Sequence, residues 1–129
     1  AWKVVSKKSA SPEQLRAMED AWLLLRRIRS NTILVWDGAD GVTLGIGSGQ
    51  VSRVGAAKLA LEQAGDRAKG KVLASDSFFP FQDSVELAAK YGIAAIVQQG
   101  GSINDQASID AADAAGIVMV LTGERAFWH

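Results

Sequence analysis

Apolar residues recur along this chain in two rhythms, and the alternation between them lays out its elements. Leu15, Met18, Ala21, Trp22, Leu25 and Ile28 follow one another at spacings of three and four, which is one face of a helix. Ser11-Pro12-Glu13-Gln14 opens that helix: Ser11 suits the N-cap, Pro12 the first turn, and Gln14 completes a capping box. Arg26, Arg27 and Arg29 are expected in its last turn, where cations favour the helix dipole. Residues 32–36 and 42–46 then read as two strands joined by the turn chemistry of Asp37-Gly38-Ala39-Asp40-Gly41, a hairpin. Residues 52–64 form a second helix, with Val54, Ala57, Leu59, Ala60 and Leu61 expected to face inward and Gly65 to stop it. Residues 71–75 are a strand, and residues 85–91 a helix capped by Asp83 or Ser84 and closed by Gly92. Residues 93–97, 105–115 and 117–121 complete the series as strand, helix and strand. Residues 3–7 suit a short edge strand.

After the hairpin each strand is reached through a helix, which requires crossover connections and so parallel strands. Ile33-Leu34-Val35, Ile93-Ala94-Ala95-Ile96-Val97 and Ile117-Val118-Met119-Val120-Leu121 are continuous apolar runs, as strands covered on both faces are. The expected fold is a three-layer α/β/α sandwich around a mixed sheet of about five strands. The 129 residues suit one domain, with 1–10 as linker or edge strand and 122–129 as a tail. Four features of that tail stand out: Arg125, Phe127, Trp128 and His129. Two large aromatics in a terminus imply that it packs on this domain or on another chain.

Composition narrows the chemistry. Fourteen basic residues balance fourteen acidic ones, which argues against nucleic-acid or membrane-surface binding but leaves small anions open. There is no cysteine, and the one histidine is His129. Disulfides, thiol nucleophiles, zinc–thiolate sites and iron–sulfur clusters are excluded on that ground. The cytoplasm is the expected location, since residues 1–8 carry no apolar signal core and no window approaches 18 uninterrupted apolar residues.

In an open α/β sheet, ligands gather where strands end and the following helices begin. Three segments qualify. Gly45-x-Gly47-x-Gly49-Gln50-x-Ser52-Arg53 offers backbone N–H groups, a hydroxyl and a cation suited to a carboxylate or phosphate, although it matches no dinucleotide or Walker spacing. The plainer alternative is a glycine-rich hairpin end with an exposed arginine. The second segment is Ser75-Asp76-Ser77-Phe78-Phe79-Pro80-Phe81-Gln82-Asp83. Pro80 cannot continue a central strand, and three phenylalanines exceed what a solvated turn requires. It reads as a flat slot for a planar heterocycle with Asp83 accepting from its N–H groups, or else as a hydrophobic plug with Asp83 as a helix cap. The third, residues 98–105, reads as a capping loop in which Ser102 or Asn104 precedes a helix.

The order helix, hairpin, then three helix–strand units resembles the cytidine-deaminase-like fold. Deaminases of that fold hold zinc through His-x-Glu and Pro-Cys-x-x-Cys at the starts of two helices. Here those starts read Gln50-Val51-Ser52-Arg53 and Phe79-Pro80-Phe81-Gln82-Asp83, which supply no zinc ligand set. A more detailed likeness lies in Ser30-Asn31, residues 45–53, Ala64-Gly65-Asp66-Arg67-Ala68, residues 75–83, Gly100-Gly101-Ser102-Ile103 and the ending at 122–129. Together these resemble the C-terminal part of bifunctional purine biosynthesis proteins, which carry AICAR transformylase and IMP cyclohydrolase activities.

That resemblance implies a formyltransferase of IMP biosynthesis, moving a formyl group from 10-formyltetrahydrofolate to the 5-amino group of AICAR at a homodimer interface, without a metal. It implies that Phe78, Pro80 and Phe81 form the folate slot, that Asp83 is the pterin-binding carboxylate, and that Arg53 and Val54 line the folate side. Ser84 stands where some members have asparagine, beside the folate tail, and Gln99 where proline is usual. By the same resemblance Asn31 lies close to the reacting centre, Arg125 meets the AICAR phosphate, and Phe127 packs on that nucleotide. The family's catalysis also uses a Lys-His pair from a preceding half, which this sequence does not contain, and the cyclohydrolase domain is missing. The expectation is therefore half of a transformylase site, inactive alone and completed by an N-terminal half or a dimer partner. The alternative is a non-catalytic folate- or nucleotide-binding or dimerisation module.

Overall fold

The computed structural model describes residues 2–28, 31–49, 52–79 and 82–124. Along these the chain runs β1 (Lys3–Val4), α1 (Pro12–Leu25), β2 (Ile33–Asp37), β3 (Val42–Gly47), α2 (Arg53–Ala64), a 3-10 turn (Gly65–Ala68), β4 (Val72–Ser75), α3 (Asp83–Lys90), β5 (Ala95–Gln98), α4 (Asp105–Ala115) and β6 (Val118–Leu121). The strands form one sheet in the order β1-β6-β5-β4-β2-β3. β4, β5 and β6 are parallel neighbours, as the intervening helices require. β2 pairs antiparallel with both β3 and β4, and β1 antiparallel with β6. The sheet therefore has six strands, one more than the hairpin-plus-three count, because Lys3–Val4 does pair along the edge of β6.

Alternation along the buried strands divides the core in two. Leu34, Val72, Ala74, Ala95, Val97, Val118 and Val120 face α1 and meet its Met18, Trp22 and Leu25. Ile33, Val35, Leu73, Ile96 and Met119 face the other way, into a cluster with residues of α2, α3 and α4. One helix on one face and three on the other make the three layers. Period-two side chains on strands buried from both sides account for the unbroken apolar runs.

The structure revises three local readings. Helix α1 ends at Leu25, so Arg26 is its C-cap and Arg27 lies in the turn beyond, leaving no basic residue in the last turn. In α2, Ala57, Ala60 and Leu61 point inward as expected, whereas Val54 and Leu59 are exposed. The inward stripe is instead Ala56, Ala57, Ala60, Leu61 and Ala64, because this helix lies almost on the backbone of β3. A Cβ placed on Gly45 or Gly47 would stand 1.9 Å from the Ala60 carbonyl oxygen or 2.0 Å from that of Ala56. Only small residues allow two backbones so near one another. Third, Gln82 rather than Asp83 or Ser84 occupies the cap position of α3, and Asp83 is the first helical residue.

Candidate functional site

The strand directions bring several loops to one edge of the sheet. β3, β4, β5 and β6 end there, β2 begins there because it runs against β4, and α2, α3 and α4 start there. Asn31, Arg53, Asp76, Phe78 and Asp83 all belong to these loops and helix starts.

At the centre of this edge lies a closed set of polar contacts. Arg53, the first residue of α2, is buried, with its side chain 8% exposed, and it pairs with Asp76, whose side chain is fully buried. The same guanidinium carbon carries Nη2, which donates to Asn31 Oδ1 at 2.9 Å. Nη1 also lies 3.5 Å from the Thr32 carbonyl oxygen. The Asp76 backbone N–H in turn donates to that Thr32 oxygen at 3.1 Å. Residues 31–32, 53 and 76 thus hold one another through both backbone and side chain. The second Asp76 carboxylate oxygen, Oδ2, has no hydrogen-bond partner among the described residues.

This arrangement corrects the plainer sequence reading of Arg53: it is not an exposed arginine but a buried cation at the start of α2, held by Asp76. Sequence reasoning gave Asp76 no role, and nothing local distinguishes it, since its partner sits 23 positions away on another element. Ser52 behaves as the N-cap of α2, its hydroxyl accepting from the Gly55 N–H at 3.1 Å.

The aromatic run divides. Phe79 is fully buried and belongs to the core with Val85, Ile93 and Ile96, so this part of the run is a plug. Its backbone N–H donates to the buried Gln98 Oε1 at 3.0 Å. The Ser77 hydroxyl donates to Gln99 Oε1 at 3.2 Å, and the Ser75 hydroxyl to the Ser77 carbonyl at 3.0 Å. These bonds seat the loop on the end of β5 and leave Phe78 37% exposed at the surface. Asp83 is also exposed, and its carboxylate accepts only from the N–H of Ser84 at 3.0 Å among the described residues. Ser84 itself is buried, and its hydroxyl has no hydrogen-bond partner among the described residues. Val54, outside the core, shares the surface next to Arg53. Pro80, Phe81, Arg125 and Phe127 lie outside the described residues.

The third loop is closed by Asp105, whose carboxylate accepts from the N–H groups of Gly101 at 2.7 Å and Ser102 at 3.1 Å. Asn104 occupies the cap position without a side-chain cap bond, and Ser102 Oγ accepts from its N–H at 3.0 Å. The Gly123 N–H donates to the Gln99 carbonyl at 2.9 Å, so the chain leaves the sheet alongside the loop that holds Ser77.

One perturbed carboxylate lies at the opposite edge. Burial raises the pKa of Asp37, but the N–H of Asp40, the Lys71 ammonium 3.5 Å away and the N–H of Ala39 outweigh it and hold the carboxyl below its ordinary value. This is turn and strand-end chemistry, because Asp37 closes the hairpin. No group of three or more His, Asp or Glu side chains among the described residues is placed to hold a metal ion. No helix among them is long and apolar enough to cross a membrane.

With this geometry in place, comparison with known proteins gives a consistent picture. The solved structures of Acinetobacter baumannii RibD, in two forms, match at TM-scores of 0.57 and 0.59, covering 83% of this chain and 34% of theirs. At 18% identity this is a likeness of fold, and it agrees with the cytidine-deaminase-like α/β/α arrangement. Residues 1–63 match the family model described as AICARFT/IMPCHase bienzyme. The bifunctional purine biosynthesis protein PurH of Desulfitobacterium hafniense is 52% identical over 129 residues, covering 100% of this chain and 24% of that protein. The PurH of Synechococcus elongatus is 55% identical over 129 residues, again 100% of this chain and 25% of that protein. The chain spans about a quarter of the length of the curated relatives it matches, and along that whole span it is similar to the bifunctional purine biosynthesis proteins of the PurH type.

Proposed function

We propose that this chain supplies the folate side of an AICAR formyltransferase site in purine biosynthesis, within a longer or assembled enzyme. The observation that carries the reading is the contact between Arg53 and Asn31 at the edge where strands end and helices begin. Two segments that the family resemblance assigns to one active site are bonded to each other there. The relatives' description as bifunctional purine biosynthesis proteins supports the same reading.

In this reading the exposed face of Phe78, with Pro80 and Phe81, takes the planar pterin of 10-formyltetrahydrofolate. The solvent-facing carboxylate of Asp83 accepts from the pterin amino and amide N–H groups, and Arg53, Val54 and Ser84 border the folate. Arg125 and Phe127 engage the phosphate and base of AICAR. The reaction joins the amine nitrogen of AICAR to the formyl carbon and breaks the bond from that carbon to the folate N10. The amine loses a proton and N10 gains one. An aromatic amine is a weak nucleophile, and moving its proton requires a positioned base. No side chain of this sequence matches the family's Lys-His pair, so the base comes from the preceding half or a partner subunit.

Titration of the chain with a reduced folate and with AICAR, alone and mixed with a Lys-His-bearing half from a PurH relative, tests this. Formyl transfer confined to the mixture is the expected result. Asp83→Ala is expected to weaken folate binding at least tenfold, and unaltered binding overturns the proposed slot. A stable dimer that binds neither ligand would make the chain a dimerisation module instead.

A further inference from the structure

We infer that Asp76 is a positioning residue that acts through Arg53 to fix the orientation of the Asn31 carboxamide. The inference deepens the reading of this edge as a formyl-transfer site, and it rests on that reading for its catalytic consequence.

A carboxamide has two nearly isosteric orientations, one with oxygen and one with nitrogen toward a given neighbour. Guanidinium can only donate, so a neighbouring arginine admits just the orientation that presents oxygen. Arg53 Nη2 meets Asn31 Oδ1 at 2.9 Å, which turns the donor nitrogen Nδ2 away from Arg53. An arginine fixes a neighbour only if its own long side chain is fixed. Here Nη1 is held by Asp76 and lies 3.5 Å from the Thr32 carbonyl, in a place where Arg53 and Asp76 are both buried. The Asp76 backbone N–H binds the same Thr32 oxygen at 3.1 Å, one residue from Asn31. The segment entering β2, the end of β4 and the start of α2 are thereby tied by hydrogen bonds, with Asp76 supplying the negative charge that holds Arg53. A donor at Asn31 matches the formyl oxygen, which gains negative charge as the amine adds to the formyl carbon. Donors set in place before reaction are the effective ones.

Asp76→Asn keeps the size of the side chain and removes its charge. In the amide spectrum of the isotope-labelled chain, the Asn31 side-chain N–H2 pair is identified by its loss in Asn31→Asp. That pair is expected to shift and broaden in Asp76→Asn as Arg53 loosens its hold on the carboxamide. Arg53→Lys places a single point donor where two bridging N–H groups stood, and it is expected to give the same spectral change if Asp76→Asn fails to fold. In the mixture with the Lys-His-bearing half, Asp76→Asn is expected to lower kcat at least tenfold while KM for the folate stays within twofold. In an Asn31→Ala background the same substitution is expected to cost less than twofold, since the group it positions is gone. An Asn31 signal unmoved in both variants, or an equal loss of kcat in both backgrounds, overturns the inference. If the unsubstituted mixture transfers no formyl group, the function proposed for this edge fails, and the amide spectrum still decides whether Asp76 sets Asn31.

Discussion

Substituting alanine for Gly47 tests the close approach of β3 to the backbone of α2. The new Cβ would stand 2.0 Å from the Ala56 carbonyl oxygen, 2.8 Å from its carbon and 3.0 Å from its Cα. Separations under 3.0 Å do not occur for real Cβ atoms, so strand and helix must part by about 1 Å. The obstructing atoms are backbone, and no rotamer change relieves them. Overpacking of a well-filled core costs about 1–3 kcal/mol, and a backbone clash belongs at the upper end, near 3 kcal/mol. For a domain of this size that corresponds to a loss of roughly 12 °C in Tm. Gly49→Ala is the internal control. Gly49 has φ +65 with nothing within 4 Å of its Cβ position, so its substitution costs only the left-handed backbone penalty, about 1 kcal/mol. Urea unfolding followed by tryptophan fluorescence, with thermal melts alongside, measures both. Gly47→Ala as mild as Gly49→Ala would refute the account of why this strand carries alternating glycines.

Two further substitutions and one titration test other parts of the structure. Phe79→Ala removes a fully buried ring and is expected to cost about 3–5 kcal/mol in chemical denaturation. Phe78→Ala, at a surface ring, is expected to cost under about 1 kcal/mol of stability yet to weaken folate binding, so equal effects on stability would contradict the division of the run. Asp37 has a folded-state pKa below its unfolded value of 3.8, so its charge stabilises the fold above about pH 4, and that contribution disappears as pH falls through the folded value. Asp37→Asn is expected to flatten the acid limb of the stability–pH curve, and an unchanged limb would show that the Lys71 and turn contacts carry none of it.

The sequence was informative wherever the signal was local. Spacing of three and four set α1, Ser11 and Gln14 formed the capping box as expected, and α4 runs from Asp105 to Ala115 as its pattern indicated. Alternation and apolar runs gave β2 to β6 to within a residue or two, and the intervening helices gave the parallel arrangement of β4, β5 and β6. The same logic placed the candidate loops on one edge. The packing of α2 was not legible in this way. Its apolar residues suggested an inward Val54 and Leu59, whereas closeness to Gly45 and Gly47 selects an alanine face. The aromatic run was legible as unusual, but not which ring goes inside.

By itself, then, the sequence determined the fold class, the order of elements and the edge that gathers the candidate loops, because each depends on periodicity and turn chemistry within a few residues. Only the tertiary structure decided that Phe79 is core while Phe78 meets solvent, and that Arg53 is occupied by Asp76 and directed at Asn31. The second outcome depends on β2 lying antiparallel beside β4 with Ile33 opposite Ser75. That register brings residues 31, 53 and 76 together, and no local pattern in the chain encodes a meeting between positions more than twenty apart.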